Sequence, residues 1–231
     1  MSLAADARIL LRMLRGMPAG GDAGQRLESF YAPQAQAYDA FRERLLKGRA
    51  ELIGQLQLPA GAHVVELGAG TGRNLDYFGA RTAGFARVDL VDLCPALLAQ
   101  ARQRAARHAN VHAIAGDACL WQPRAPVDCV IFSYSLSMIP DWRGALANAR
   151  AMLKPGGVLA VVDFTVPPSQ SLLLRRFWTL WFGHDGVRLD HAHVEALRAA
   201  LPRHEYGEHR VPVPYIPALE VAYYHYIGTM Q

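Results

Sequence analysis

The chain has 231 residues, 52% hydrophobic and 19% charged, with a net charge of +4. That length buries a real core in one sizeable domain, and the balance excludes a disordered chain, a solenoid and a bilayer span, for which no apolar run is long enough. Cys94, Cys119 and Cys129 lack CxxC spacing, which argues against a disulfide framework or a zinc site and for reduced thiols in a cytosol.

Residues 3–17 read as a helix with a broad apolar face, including Ile9, Leu10, Met13 and Leu14, opposite a stripe of Arg8, Arg12 and Arg15. The arginines exclude a signal-peptide core, so a cytoplasmic protein is expected. The helix has two readings: an amphipathic segment lying on an anionic membrane, or a lid packed on the domain. Pro18 to Asp22 is a linker, and a second helical stretch runs from about Pro33 to Gln55. From residue 62 strands are expected at 62–67, 86–91, 111–115, 127–133 and 157–163, with helices at 72–80, 95–108 and 141–152 between them. That alternation predicts βαβ units and a mostly parallel sheet. An aromatic-rich stretch (Ser169–Phe182), a helix near His191–Leu201 and two antiparallel strands over 209–228 close the chain.

The sharpest signal is His63-Val64-Val65-Glu66-Leu67-Gly68-Ala69-Gly70-Thr71-Gly72-Arg73-Asn74, an apolar strand running into alternate glycines and then a helix. Glycine belongs where a backbone turns sharply and a ligand approaches without a Cβ. A dinucleotide fingerprint would be G-x-G-x-x-G, but its third position falls on Arg73. An acid then follows the second strand; Asp92, at the strand-to-helix turn before Pro95, is favoured over Asp89 as a fork for ribose hydroxyls. Ala115-Gly116-Asp117-Ala118-Cys119 places another acid after the third strand, where an Asx turn or helix cap is the alternative.

Glu66 with the G-x-G-x-G run, Asp92, Asp117, the strand ending at Ser133-Tyr134-Ser135 and the turn Leu153-Lys154-Pro155-Gly156-Gly157 together resemble the class I S-adenosylmethionine-dependent methyltransferases. The resemblance implies a Rossmann-like α/β fold: a mostly parallel seven-stranded sheet with an antiparallel C-terminal strand, plus N-terminal helices. It implies S-adenosylmethionine as cofactor, no metal, and cofactor contacts from Tyr31, Glu66, Gly68, Ala69, Gly70, Thr71, Asn74, Asp92, Leu93, Asp117, Ala118 and Ser133. Glu66 would orient the methionine part, and Asp117 would accept from the adenine amine.

Flanking segments narrow the resemblance: Phe30 to Arg42, Ser133 to Trp142, Phe177-Trp178, Trp181 to Val187, Val213 to Pro217 and Tyr223-Tyr224. Together they are similar to the bacterial betaine-lipid methyltransferases (the BtaB type), which methylate the amine of diacylglycerylhomoserine to the trimethylated betaine lipid. That implies a lipid headgroup as substrate at the inner membrane face, no nucleic acid, and a functional partnership with the enzyme that makes the acceptor. The expected organisation is a helical cap over 1–58 and a methyltransferase domain over 59–231, with 164–205 as an acceptor-side lid.

Methyl transfer from a sulfonium is an in-line displacement, so positioning is the main task. An ammonium must first lose a proton, and His184 with Asp185 is the candidate pair, Tyr134 a further catalytic candidate. A quaternary ammonium has no N–H donors and suits aromatic faces. Tyr31, Tyr134 and Tyr215 are preferred for that role among a set that includes Tyr38, Trp181, Tyr223 and Tyr224. Arg42, Lys47 or Arg73 would meet the homoserine carboxylate, with no basis for choosing. The alternative is another small or lipid-like acceptor, a phospholipid amine or a quinone precursor. A DNA methyltransferase is disfavoured because no N/D-P-P-Y/F follows the fourth strand.

Overall fold

The computed structural model describes residues 23–32, 45–184, 186–213 and 216–231. Two helices come first, α1 (Ala23–Tyr31) and α2 (Arg49–Gln55). Strands and helices then alternate: β1 (His63–Leu67), α3 (Asn74–Phe78), β2 (Arg87–Asp92), α4 (Pro95–Ala105), β3 (Val111–Ala115), β4 (Val127–Ser133), α5 (Trp142–Met152) and β5 (Leu153–Thr165). The chain ends in α6 (Leu172–His184), α7 (Ala192–Ala200), β6 (His204–Val213) and β7 (Ile216–Thr229).

The seven strands form one sheet in the order β3-β2-β1-β4-β5-β7-β6. All pairings from β3 to β5 are parallel, and β7 runs antiparallel to both β5 and β6. This is the Rossmann-like methyltransferase fold that the sequence resemblance implies. The chain winds outward from β1 to β3, then returns to start again at β4 beside β1. Such a switch point leaves a crevice beyond the carboxyl ends of the strands.

Near-continuous apolar runs such as Cys129-Val130-Ile131-Phe132 follow from burial on both faces. Val64, Ile131, Val162 and Phe164 face one core, with Leu52 of α2, Leu98 of α4 and Trp178 of α6. Their neighbours Val65, Val130, Phe132 and Val161 face the other, with Leu146 of α5 and Val194 of α7.

Several expectations change in detail. The helix expected from Pro33 to Gln55 does not run unbroken through its described part, because Gly48 sits at φ 82° between Lys47 and α2. A Cβ there would stand 2.4 Å from the Tyr223 ring, so the break is enforced by packing. Helix α1 was not expected; it seats Phe30 and Tyr31 against Cys94 and Leu97, and Glu28 accepts from the Ala96 amide at 2.9 Å. β6 begins at His204, earlier than the 209 expected, and β5 takes in the turn that was to precede it. Residues 3–17 lie outside the described residues. Among the described residues no helix is long and apolar enough to cross a membrane.

Candidate functional site

At the end of β1 the chain turns through Gly68 (φ 71°), Gly70 (φ 56°) and Gly72 (φ 71°), all in the left-handed region. A Cβ on Gly68 would stand 2.4 Å from the Cβ of Ser135, and one on Gly72 would meet Leu90 at 2.9 Å. Gly70 has open space beside it, its nearest neighbour being Leu97 at 3.9 Å. The amides of Gly68 and Ala69 both donate to the Val91 carbonyl, at 2.8 and 3.0 Å, and Ser135 Oγ donates to the Leu67 carbonyl at 2.7 Å. The loop is therefore pinned to β2 on one side and to the segment after β4 on the other.

Three carboxylates surround this loop. Asp92, at the end of β2, accepts from the Gly70 amide through Oδ2 and from the Cys94 amide through Oδ1, both at 2.7 Å. Burial pushes its pKa up and the amide bonds oppose that. Glu66 is buried and accepts from Asn74 Nδ2 at 2.8 Å. Burial pushes Glu66 up to about 8, with Arg49 and Asn74 pulling the other way. Asp117 accepts from the Cys119 amide at 2.8 Å, so the Asx turn weighed as the alternative does form. Its side chain also lines the cavity described next.

A cavity of about 540 Å³ opens over the loop. Tyr31, Glu66, Gly68, Ala69, Gly70, Thr71, Asn74, Asp92, Leu93, Asp117, Ala118 and Ser133 all line it, as do Tyr134 and Arg73. Two atoms in its wall, Asn74 Oδ1 and Ser133 Oγ, are buried with no hydrogen-bond partner among the described residues. Buried polar atoms of this kind are costly unless a ligand or water meets them. Asp89 stands apart: it is buried away from the cavity and paired with His63 Nε2 at 2.7 Å and Arg87 Nε at 2.9 Å. Burial would raise its pKa, but those two partners hold it below the ordinary aspartate value.

The cavity meets the fit requirements for S-adenosylmethionine. Carboxylates stand at the ends of β1 and β2 and just after β3, an open glycine lets the backbone approach, and orphaned polar atoms line the wall. The comparison with known proteins bears on the family. A profile described as a methyltransferase domain matches residues 37–207. The chain belongs to the methyltransferase-domain family.

The methyltransferase is 30% identical over 161 residues to the 2-phytyl-1,4-naphtoquinone methyltransferase of Thermosynechococcus vestitus, covering 67% of this chain and 71% of that one. It is 35% identical over 124 residues to a trans-aconitate 2-methyltransferase of Methylobacterium radiotolerans, covering 54% of this chain and only 46% of that protein. A demethylmenaquinone methyltransferase of Tropheryma whipplei is 33% identical over 140 residues, 58% of this chain and 56% of that one. Among solved structures, the [4+2]-cyclase SpnF superposes with a TM-score of 0.68 at 16% identity, covering 94% and 98% of the two chains. A Haloferax volcanii methyltransferase bound to its Trm112 activator also reaches 0.68, at 18% identity over 88% and 96%. At such identities these two neighbours speak for the fold alone.

The acceptor side departs further from expectation. Tyr134 has φ 55° and is the one non-glycine residue with positive φ among those described. Its ring lies 4.6 Å from that of Phe164, and its hydroxyl donates to the Lys47 carbonyl at 2.6 Å. Burial pushes its pKa well above 10. Tyr134 thus lines the cavity with its hydroxyl proton engaged by a backbone carbonyl. Of the other candidate aromatics among the described residues, Tyr31 alone lines the cavity; Tyr223 stacks on His209, Tyr224 is buried in the core, and Trp181 is on the outer side of α6. Lys47 takes part through its carbonyl and does not line the cavity, whereas Arg73 does and also pairs with Asp76 at 2.5 Å.

Tyr38, Arg42, Asp185 and Tyr215 lie outside the described residues, and of His184 only the backbone is described. Gly183 and Gly186, which bracket the His184–Asp185 pair, do line the cavity. Sequence reasoning missed Arg26, Arg49, Met138, Ile139 and Arg188, all of which line it too. A helix period over 23–31 would have found Arg26; nothing local in the sequence marks Arg188. Its amide donates to the Ser137 carbonyl at 2.7 Å, which ties the segment after α6 to the loop after β4. No group of three or more His, Cys, Asp or Glu that could hold a metal occurs among the described residues.

Proposed function

We propose that the protein transfers methyl groups from S-adenosylmethionine to the amine of diacylglycerylhomoserine at a membrane surface, giving the trimethylated betaine lipid. The observation that supports this best is the composition of one cavity. Its lining combines the carboxylates and glycines expected of a methyl-donor site with Arg26, Arg188, Tyr31 and Tyr134. A zwitterionic amino-acid headgroup needs a cation for its carboxylate and aromatic faces for its methylated nitrogen.

The cofactor, when bound, supplies an electrophilic methyl group. Asp92 has lone pairs left on both oxygens for ribose hydroxyls after accepting from Gly70 and Cys94. Glu66 and Asn74 would hold the methionine part, Asn74 Oδ1 being free to accept from an ammonium. Asp117 and the Ala118 amide would meet the adenine edge. On the other side, Tyr134 and Tyr31 exclude water and orient the amine for in-line attack, which is where most of the rate acceleration arises. His184 and Asp185, bracketed in sequence by the cavity-lining Gly183 and Gly186, are the candidate pair to receive the ammonium proton. In this reading residues 1–58 cap the donor site, residues 164–205 form the acceptor-side lid, and the enzyme works beside the one that makes its acceptor.

A second reading is methylation of a quinone precursor, favoured by the two quinone-methyltransferase relatives reported above. Both readings are separated by incubating the protein with isotopically labelled S-adenosylmethionine and vesicles carrying diacylglycerylhomoserine, phosphatidylethanolamine or demethylmenaquinone. Mono-, di- and trimethylated homoserine lipid by mass spectrometry is the expected result. Label in the quinone alone overturns the amine reading.

A further inference from the structure

Helix α6 is apolar around most of its circumference, with Arg175, Thr179 and Arg176 along the remaining side. At about 100° per residue, Leu174, Trp178 and Phe182 fall on one side, and Trp178 and Phe182 are buried against the sheet. Leu172, Leu173, Phe177, Leu180 and Trp181 fall on the other. These five are 73%, 83%, 40%, 72% and 37% exposed, and among the described residues only Leu93 and Leu120 are other large hydrophobics left so open. A surface helix normally turns its apolar residues to the core and polar residues outward, and here five large apolar side chains face outward instead. An apolar patch of this size on one short helix marks a surface that meets something else.

What it meets is indicated by charge and by position. Arg176 is exposed within the apolar arc and Arg175 is half-buried at its edge, while α6 itself carries no acidic residue. An arginine amid leucines buries its stem along apolar surface and keeps its head among phosphates. The last turn of α6 runs into the cavity, since Gly183 and, just beyond the helix, Gly186 and Arg188 line it. Whatever covers the outer face of α6 is thereby held at the cavity mouth.

We propose that the outer face of α6 is a docking surface for an anionic lipid bilayer, laying the mouth of the cavity against the headgroups. The inference rests on reading the acceptor as lipid-borne, and it names the helix that brings enzyme and acceptor together. The leucines and aromatic rings enter the interface, Arg176 meets anionic headgroups, and the acceptor slides from bilayer to cavity along the end of α6 without its acyl chains crossing water.

The test is sedimentation of the full chain with two kinds of vesicle, phosphatidylglycerol mixed with phosphatidylcholine, and phosphatidylcholine alone. Neither contains a methyl acceptor, so the result does not depend on which lipid is methylated. The wild type binds the anionic vesicles. Leu173→Glu with Leu180→Glu lowers that binding by about tenfold for each leucine, the loss expected when a well-buried leucine is removed from an apolar phase. Arg176→Glu weakens binding to anionic vesicles and leaves the weak binding to phosphatidylcholine unchanged. Circular dichroism and S-adenosylhomocysteine affinity at wild-type values show that these variants are folded. Wild-type binding by the double-leucine variant overturns the proposal. So does concentration-dependent self-association that the same variant abolishes, because a second copy then occupies the face. Loss of binding on deletion of residues 1–20, with α6 intact, also overturns it and moves the surface to the N-terminal segment. Methylation of detergent-dispersed diacylglycerylhomoserine by the double variant at the wild-type rate would show the chemistry standing even where docking fails.

Discussion

The two sides of the switch point between β1 and β4 are built by different means. On the β1–β3 side the cavity is made of backbone and carboxylates. Glycine amides and carbonyls turn toward one another, and Asp92 reaches back only from the next strand to hold Gly70. On the β4–β5 side it is made of rings and aliphatic chains fixed by distant partners. Tyr134 is held by Lys47, 87 positions away, and Ser137 donates its hydroxyl and amide to Asp163, 26 positions on. Polar backbone geometry has few solutions, so the donor side reads as short motifs. Apolar packing has many, and the acceptor side is free to differ among enzymes that share the donor.

The largest expected effect tests how tightly the donor side is built. Gly68→Ala adds a Cβ 2.4 Å from that of Ser135, on a backbone at φ 71°. Left-handed strain and overpacking together should cost about 2–5 kcal/mol. Gly70→Ala meets only Leu97 at 3.9 Å and should cost only the conformational part, about 1–2 kcal/mol. Denaturant unfolding of both proteins checks this. Equal losses would mean that the loop yields as a unit and that the contrast between the two glycines is not one of space.

Next in size is Asp92→Ala. The lost ribose acceptor should weaken S-adenosylhomocysteine binding by on the order of 100-fold, since hydrogen bonds to a charged group contribute roughly 1.5–3 kcal/mol each. The Gly70 and Cys94 amides also lose their partner, so some stability goes with it. Asp89→Asn should leave cofactor affinity unchanged, because Asp89 is spent on His63 and Arg87. Calorimetry that finds the reverse ranking would reassign the ribose acid.

Smaller, and specific to pH, is the contribution of Glu66. Its folded pKa of about 8 lies above the ordinary 4.5 because burial disfavours the charge. The folded state therefore holds a proton that the unfolded state releases earlier. The stability from this group is full below the ordinary value and is lost as pH rises through about 8. The slope is at most about 1.4 kcal/mol per pH unit. Asp163, raised from 3.8 to about 6, acts in the same sense over a lower window. Glu66→Gln should flatten the upper part of the slope, between about 6 and 8, as read by unfolding at several pH values. A carboxylate that must ionise to meet a cationic methionine group should also release a proton on ligand binding. The calorimetric enthalpy then varies with the buffer's ionisation enthalpy in the wild type and not in Glu66→Gln.

The same asymmetry decided what the sequence revealed. Strand and helix positions from 62 to 163 were legible because buried parallel strands are apolar runs and the helices between them carry a period. The glycine loop, Asp92 and Asp117 were legible because each side chain is used within a few residues of a strand end. Helix α1 was missed although Leu27, Phe30 and Tyr31 stand at helical spacing, because the segment is short and follows a linker, yet it delivers Arg26 and Tyr31. The break at Gly48 was hidden because its cause, the Tyr223 ring, lies 175 positions away. Tyr224 and Trp181 were grouped with the pocket aromatics by residue type, but strand alternation buries one and helix phase exposes the other.

The smallest expected effect tests the acceptor side. Tyr134→Phe keeps the ring against Phe164 and removes only the hydroxyl that donates to Lys47. One buried hydrogen bond of this kind contributes about 0.5–1.5 kcal/mol, so stability should fall by no more than that. If Tyr134 acts as a wall, the pH profile and the mono-, di- and trimethyl product ratio stay as in the wild type. Tyr134→Ala removes the ring itself and should let partly methylated product accumulate, because the later steps involve the nitrogen that depends most on an aromatic face. Product ratios from mass spectrometry over a range of pH distinguish the two variants. A shifted pH profile in Tyr134→Phe would make the hydroxyl part of the proton path. A uniform fall in all three steps in Tyr134→Ala would mean that the ring positions the methyl donor and not the acceptor.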